Sequence, residues 1–215
     1  MNPLASILEQ QTFSREDIIT LLSVPDKESH DAIINKAYAI KEKTVGKVAY
    51  LRGLIEFSNA CKKNCLYCGI RKGNKEVSRY TLSDAEVMQT LEFALAKRFN
   101  GLVLQSGEMT GAAFTERITR LIQQIKKRAG DDFRITLSLG EQSPETYRQW
   151  FDAGAQRYLL RIESASQELY RKIHPDDDLH RFDKRLQCLS DLKAAGYQVG
   201  TGVMIGLPFQ TYEDL

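Results

Sequence analysis

The sequence of 215 residues predicts an α/β fold, a TIM-type (βα) barrel that is truncated after about five βα units and carries an N-terminal helical extension. Three observations predict this class. Short apolar runs alternate with longer amphipathic segments from Gly53 onward, as in parallel sheets with crossover helices. The residues before Lys47 have helical periodicity instead. Several of the apolar runs also separate polar from apolar residues by strict alternation.

Residues 1–46 are predicted to form a helical lead-in. Ser14 and Asp17 have the spacing of a capping box before an apolar run that begins at Ile18. Residues 47–215 are expected to form the barrel core. Its C-terminal units are expected to be missing, because a parallel barrel closes with eight strands. A complete five-stranded open α/β domain is the alternative.

The core is predicted to contain five strands that alternate with helices. Ser83 and Glu86 form a second capping box, and Ser143 followed by Pro144 is typical of a helix N-terminus. A further helix is predicted to begin near Tyr212. The predicted strands are 53–57, 101–105, 134–139, 157–162 and 198–204.

The alternation within the strands predicts a polar lumen. In the third strand, Thr136 and Ser138 share one face, and large apolar residues occupy the other. The outward face of a barrel strand packs under helices, so the polar face is expected to point into the lumen. Arg161 and Glu163 follow the same rule at the end of the fourth strand, which favours a wet, ligand-binding cavity there. An amphipathic strand with one solvated face is the alternative.

Composition and charge exclude several classes of function. Lys and Arg number 30 against 28 Asp and Glu, and the formal net charge of +2 leaves no electrostatic footprint for nucleic acid or membranes. No apolar stretch approaches the roughly 18 to 20 residues of a spanning helix. The first residues lack the basic and apolar regions of a signal peptide. We therefore expect a cytoplasmic protein that binds neither nucleic acid nor membranes.

Three of the four cysteines lie on one short loop after the first predicted strand. Cys61, Cys65 and Cys68 have the spacing C-x3-C-x2-C, which suits an iron–sulfur cluster or zinc. A closed zinc site needs a fourth ligand, but Cys188 falls in an apolar helical pattern and is expected in the core. An open coordination position, and hence a chemical site, is therefore predicted. Loop or surface positions are expected for the histidines, which are His30, His174 and His180.

The cysteine pattern, with Tyr67 before the third cysteine, resembles the signature of radical S-adenosylmethionine (SAM) enzymes. The residues around it, 52–71, resemble the HydE family of [FeFe]-hydrogenase maturases in the biotin synthase-like branch. This resemblance implies a [4Fe-4S] cluster held by three cysteines, with one iron that SAM chelates through its amino and carboxylate groups. The likeness continues in order through 103–108, 136–141, 158–163 and 204–208.

The resemblance also implies roles for individual residues. Glu108 matches a stretch that binds the SAM amino group, Glu163 a ribose-binding carboxylate and Arg185 the partner of the SAM carboxylate. A solvated Arg185, and an ordinary ion pair of Arg161 with Glu163, are the alternatives. The residues predicted to bind SAM are Tyr67, Ser106, Gly107, Glu108, Arg161, Glu163, Arg185 and Ile205. Those predicted to line the substrate cavity are Gln105, Thr136 and Ser138.

The activity that the resemblance implies is reductive cleavage of SAM to a 5′-deoxyadenosyl radical, which attacks a small substrate in the lumen. For a HydE-like enzyme, the substrate is an organometallic iron–carbonyl–cyanide–cysteine precursor used in assembly of the hydrogenase H-cluster. A reducing electron donor is the expected partner, and other hydrogenase maturation proteins are further candidates. The alternative functions are a methylornithine synthase-like radical SAM mutase and a non-catalytic iron–sulfur or zinc-binding module.

Overall fold

The computed structural model describes residues 3–215, which form two compact units. One unit runs up to Tyr50 and includes Gln210–Leu215, and the other is Leu51–Phe209. The first two residues of the predicted lead-in lie outside the described residues. Within the described chain, no helix combines the length and the apolar character needed to cross a membrane.

The first unit is helical. Ser14 forms the predicted capping box: its hydroxyl accepts a hydrogen bond from the Asp17 backbone at 3.1 Å, and the Asp17 carboxylate accepts one from the Ser14 backbone at 2.9 Å. Near Tyr212 the chain forms a single 3-10 turn, Tyr212–Asp214. The helices are α1 (Pro3–Leu8), α2 (Arg15–Leu22) and α3 (Lys27–Val45).

The second unit is a parallel sheet with crossover helices. Its five strands pair in the order in which they occur in the chain, from β1 to β5. The strands are β1 (Gly53–Ser58), β2 (Gly101–Ser106), β3 (Arg134–Ser138), β4 (Arg157–Leu159) and β5 (Gln198–Gly200). The helices are α4 (Asp84–Ala96), α5 (Ala112–Ala129), α6 (Pro144–Asp152), α7 (Gln167–Lys172) and α8 (Phe182–Ala194).

The last two strands are shorter than the sequence predicts. Beyond Leu159 the backbone no longer pairs regularly, although Glu163 still forms an isolated parallel bridge with Val203. Between them, the Ile162 backbone donates to the hydroxyl of Thr201 at 3.1 Å, so a side chain replaces a ladder bond. This irregular stretch carries the polar residues of the fourth unit to the carboxyl end of the sheet.

The apolar core lies between the sheet and its helices. Ile135 and Leu137 of β3 are fully buried and belong to one core cluster with Ile118 and Ile122 of α5. Thr136 and the other polar residue of this strand, Ser138, point to the opposite face and are only partly buried. The alternation predicted for this strand is therefore confirmed, and the polar face is free to line a cavity.

The two faces of β3 differ in what a truncation costs. Leu137→Ala is expected to lower the free energy of unfolding by about 2–5 kcal/mol, because it opens a cavity in the core. Thr136→Ala, one residue away on the other face, is expected to cost less than about 1 kcal/mol. Urea unfolding followed by circular dichroism measures both. A larger loss for Thr136→Ala would mean that the two faces are reversed.

Candidate metal and cofactor site

The cysteine loop starts at the carboxyl end of β1 and is closed by Arg79. The guanidinium of Arg79 donates to four backbone carbonyls of this loop, at 2.7 Å in three cases and 3.1 Å in the fourth. The carbonyls belong to Asn59, Ile70, Arg71 and Asn74. One side chain thus satisfies backbone groups that no regular element could pair, which fixes the course of the loop around the thiols.

Residues 173–180, here called the bracing segment, hold the same loop from another side. The backbone N–H of Leu66 donates to the carbonyl of Ile173 at 3.0 Å. The backbone N–H of Asn64 donates to Nε2 of His180 at 2.9 Å. The Tyr67 hydroxyl lies 3.3 Å from Nε2 of His174. The bracing segment therefore contacts the loop at three positions. Leu66 and Tyr67 lie between the second and third cysteines, and Asn64 lies just before the second.

Both histidines of the bracing segment lie in a loop, as predicted, but they are buried rather than at the surface. Because Nε2 of His180 accepts a hydrogen bond, its proton sits on Nδ1, which lies 2.6 Å from the Asp177 carboxylate. Nδ1 of His174 lies 2.8 Å from the carbonyl of Tyr170, so it also carries the proton. Its free Nε2 then accepts from Tyr67. Both rings are therefore held in one tautomer.

The three loop thiols line one cavity of about 380 Å³ at the carboxyl ends of the strands. The backbone N–H of Glu108 donates to Sγ of Cys61 at 3.2 Å, which ties the loop to the end of β2. Gly107 permits this approach, since a Cβ there would lie 2.3 Å from the carbonyl oxygen of Ala60. Other residues that line the cavity are Gln105, Ser106, Ser138, Arg161, Glu163 and Arg185.

Burial changes the acidity of the loop thiols. It raises the pKa of Cys61, and it raises the pKa of Cys65 to about 11. Neighbouring cysteines raise both values further, which shows that the thiols interact. Protons must therefore leave the thiols when a metal binds. Among the residues that the structure describes, no three His, Cys, Asp or Glu side chains converge on a position for a single metal ion.

A buried ion cluster, defined here as Lys63, Glu108, Glu141 and Arg185, lies behind the thiols. Oε1 of Glu141 is 2.8 Å from Nζ of Lys63 and 2.7 Å from Nε of Arg185. Oε1 of Glu108 is 3.6 Å from Nζ of Lys63. Burial raises the pKa of Glu108, and the Lys63 cation opposes that shift. Each charge is thus compensated by an opposite one, as burial requires.

The ion cluster includes two of the residues predicted to bind SAM. Arg185 is buried, which contradicts the solvated alternative, and it donates to the carbonyl of Arg161 at 3.1 Å. The carboxylate of Glu108 is engaged within the protein, since its Oε2 accepts from the Glu141 backbone at 2.9 Å. Its Oε1, also buried, accepts no hydrogen bond within the described part of the chain, and Glu108 contributes negative charge to the cavity wall. Lys63 and Glu141 were not predicted as site residues, although Glu141 ends the segment 136–141.

Arg161 and Glu163 form the ion pair that the sequence left open. Nε of Arg161 lies 3.2 Å from Oε1 of Glu163, and the Arg161 side chain is 56% exposed. Glu163 has a φ of +66°, a left-handed conformation that is unfavourable for a residue other than glycine. Glu163 therefore adopts an unfavourable backbone conformation at the position where its side chain lines the cavity.

Three predicted residues do not line the cavity with the thiols. Thr136 lies on the lumen face but borders a separate cavity with Arg52 and Arg157. Ile205 is 74% exposed. Tyr67 packs against Leu169, Ile173 and Leu207. The structure thus gathers the three cysteines and most of the predicted SAM residues, but not these three.

Comparison with known proteins identifies relatives. Residues 55–215 match the family described as the radical SAM superfamily. The [FeFe] hydrogenase maturase subunit HydE of Thermotoga maritima is 42% identical over 208 residues, which cover 97% of this chain and 58% of that protein. The 3-methylornithine synthase of Methanosarcina barkeri is 28% identical over 204 residues, 94% of this chain and 56% of that protein. The chain thus spans less than two thirds of either relative.

A solved structure supports the fold. The crystal structure of methylornithine synthase (PylB) superposes with a TM-score of 0.85 at 26% identity, covering 98% of this chain and 61% of that one. The parallel order of the five strands agrees with that likeness. The predicted α/β barrel class is therefore confirmed.

The buried His174 makes stability depend on pH. Burial lowers its pKa to about 4 from the usual 6.5, so between these values the unfolded chain binds the proton more readily than the folded chain. The free energy of unfolding is expected to fall as the pH falls from about 6.5 to about 4, by about 3 kcal/mol from this group. The loss is complete only below the lower value.

Urea unfolding at several pH values, for the wild type and for His174→Phe, measures this contribution. The phenyl ring keeps the stacking on Tyr170 but cannot take up a proton, so the variant is expected to have a shallower dependence. His30→Phe, in exposed α3, is the matched control and should follow the wild type. Parallel curves for His174→Phe and the wild type would contradict a neutral, buried His174.

Proposed function

The chain belongs to the radical SAM superfamily, and on that premise we propose that it acts as an enzyme that cleaves SAM at a [4Fe-4S] cluster bound by Cys61, Cys65 and Cys68. The observation that carries this proposal is the single cavity that three thiols share with buried arginine and glutamate side chains. When bound, the cluster and SAM supply one-electron cleavage of the sulfonium to a 5′-deoxyadenosyl radical.

The residues present fit these cofactors. Three cysteines leave one iron of a cluster without a protein ligand, which suits chelation by SAM. The Arg185 guanidinium, already held by Glu141, offers charge-assisted hydrogen bonds to a carboxylate. The Glu163 carboxylate can accept hydrogen bonds from ribose hydroxyls. The negative charge of Glu108 favours an ammonium group near Ser106 and Gly107.

The lumen side of the site suits a small polar substrate. Gln105 donates to the Glu56 carboxylate at 2.8 Å, and Ser138 lies on the same face of the sheet. We propose that the substrate binds on this face, next to the SAM residues.

We favour a HydE-like role in assembly of the H-cluster of [FeFe] hydrogenase. This proposal rests on the higher sequence identity to the maturase. The proposed substrate is a small organometallic iron precursor. A methylornithine synthase-like mutase is the second candidate, because the structure superposes well on that enzyme. Other hydrogenase maturation proteins and a reducing electron donor are the proposed partners. We place the reaction in the cytoplasm, where thiols remain reduced.

Replacement of the cysteines tests the cluster. Anaerobic reconstitution of the wild type is expected to give about four irons per chain, and alanine at Cys61, Cys65 or Cys68 is expected to remove most of them. Cys188→Ala is the matched control and should retain the iron, since Cys188 is buried in the core of α8. Iron and sulfide analysis measures the result, together with absorption in the sulfur-to-iron charge-transfer bands. Equal loss in Cys188→Ala, or stoichiometric zinc instead of iron, would contradict the proposed cluster.

Product analysis separates the two candidate functions. Reconstituted protein with SAM and a strong reductant is offered either an iron–carbonyl–cyanide–cysteine complex or lysine, of which 3-methylornithine is an isomer. The formation of 5′-deoxyadenosine is expected to rise severalfold with the iron complex only. Formation of 3-methylornithine from lysine would instead establish the mutase. The cysteine variants, which lack the cluster, serve as blanks for both substrates.

A further inference from the structure

Two adjacent lysines on the cysteine loop differ in how deeply their side chains are buried. Lys62 and Lys63 both lie between Cys61 and Cys65, but the side chain of Lys62 is 29% exposed and that of Lys63 only 3%. A lysine is almost never buried unless its charge is paired. Lys63 therefore has a specific place in the interior, whereas Lys62 lies at the edge of the cluster, 3.8 Å from Oε1 of Glu108, and donates to the Thr110 hydroxyl at 3.1 Å.

The ammonium group of Lys63 joins three parts of the fold. It lies 2.8 Å from Oε1 of Glu141, just after β3, and 3.6 Å from Oε1 of Glu108, just after β2. It also donates to the carbonyl of Leu179 in the bracing segment. Only the contact with Leu179 has hydrogen-bond geometry, and the two carboxylates lie at ion-pair distances from the ammonium group.

Glu141 extends the connection from the cysteine loop to α8. The oxygen that pairs with Lys63, Oε1, also lies 2.7 Å from Nε of Arg185. Two cations and two carboxylates make up the buried ion cluster, so their formal charges cancel. Removing one member leaves a buried charge without its partner, and the others must move to compensate.

We propose that Lys63 is a positioning residue that fixes the cysteine loop against the ends of β2 and β3 and, through the carboxylate oxygen it shares with Arg185, sets the position of that guanidinium. The order of the cluster loop and the affinity for SAM are thereby coupled. This inference rests on the proposed function, because it takes Arg185 as a SAM-binding residue. Lys63 acts on the Arg185 guanidinium through Glu141, and it also pairs with Glu108.

SAM affinity of the reconstituted protein tests the coupling. Lys63→Met keeps an unbranched four-atom side chain and removes the ammonium group, and it is expected to raise the dissociation constant of SAM about tenfold, within the usual range of coupling factors. Lys62→Met, the adjacent control on the same loop, should change it less than about twofold. Equilibrium dialysis with labelled SAM measures both. An unchanged affinity in Lys63→Met with intact iron would overturn the proposal.

A double-mutant cycle distinguishes coupling from general loosening. If Lys63 acts through Glu141, the double variant Lys63→Met, Glu141→Gln should bind SAM no more weakly than the weaker single variant. Independent effects would instead multiply, to about a hundredfold for two tenfold changes. A multiplied effect would overturn the proposed link through the shared carboxylate oxygen, because it would mean that Lys63 affects SAM binding independently of Glu141.

A measurement on the cofactor-free chain covers the case in which Lys63→Met holds no cluster. The loop thiols of this variant are expected to react with a thiol reagent severalfold faster than in the wild type, while Lys62→Met leaves the rate unchanged. Loss of the cation alone would slow the reaction, since Lys63 favours the thiolate of Cys65, so faster reaction reports an opened loop. Cys188, buried in the core, is the internal reference. Equal rates in both variants would overturn the positioning role.

SAM binding by the wild type distinguishes failure of the proposed function from failure of this inference. A wild-type protein that carries the cluster but binds no SAM contradicts the proposed function and this inference together. A wild-type protein that binds SAM, with Lys63→Met and its control behaving alike, contradicts the inference alone.

Discussion

The pairing of buried charges is the constraint on which the site depends. Each carboxylate and each cation of the ion cluster would cost several kcal/mol to bury alone, so none can be placed without the others. These four side chains come from the cysteine loop, from the ends of β2 and β3 and from α8. Charge compensation therefore holds these elements together at this end of the sheet. The apolar core, on the other face, stabilises the same strands without determining how their ends are arranged.

Much of the fold follows from local patterns in the sequence. The capping boxes at Ser14 and Ser83 and the alternation in β3 each depend on residues a few positions apart, and all three occur as the sequence predicts. The ends of β4 and β5 do not, because polar alternation continues after regular pairing stops. There the hydroxyl of Thr201 takes over a backbone hydrogen bond. Periodicity records which face a residue occupies, but not whether its backbone has a partner.

The site could be predicted where a motif names its residues, and not where only distant contacts do. The cysteines follow from their spacing, and Arg185 and Glu163 from a family resemblance. His180 and Lys63 contact partners 116 positions away in the chain, and no local pattern distinguishes them from exposed residues of the same type. Lys62 and Lys63 illustrate the difficulty, since these two adjacent lysines differ in burial. Which lysine turns inward depends on carboxylates that the fold brings close, and these are visible only in three dimensions.

The way in which Arg79 closes the cysteine loop has a consequence for sequence divergence. Its guanidinium contacts main-chain oxygens only, and every residue type supplies such an oxygen. The closure that Arg79 provides therefore does not depend on the side chain at Ile70, provided that the backbone keeps its path. The side chains of Arg71 and Asn74 are constrained for a different reason, because they donate to the carbonyls of Cys68 and Gly69 at 3.2 Å and 2.8 Å.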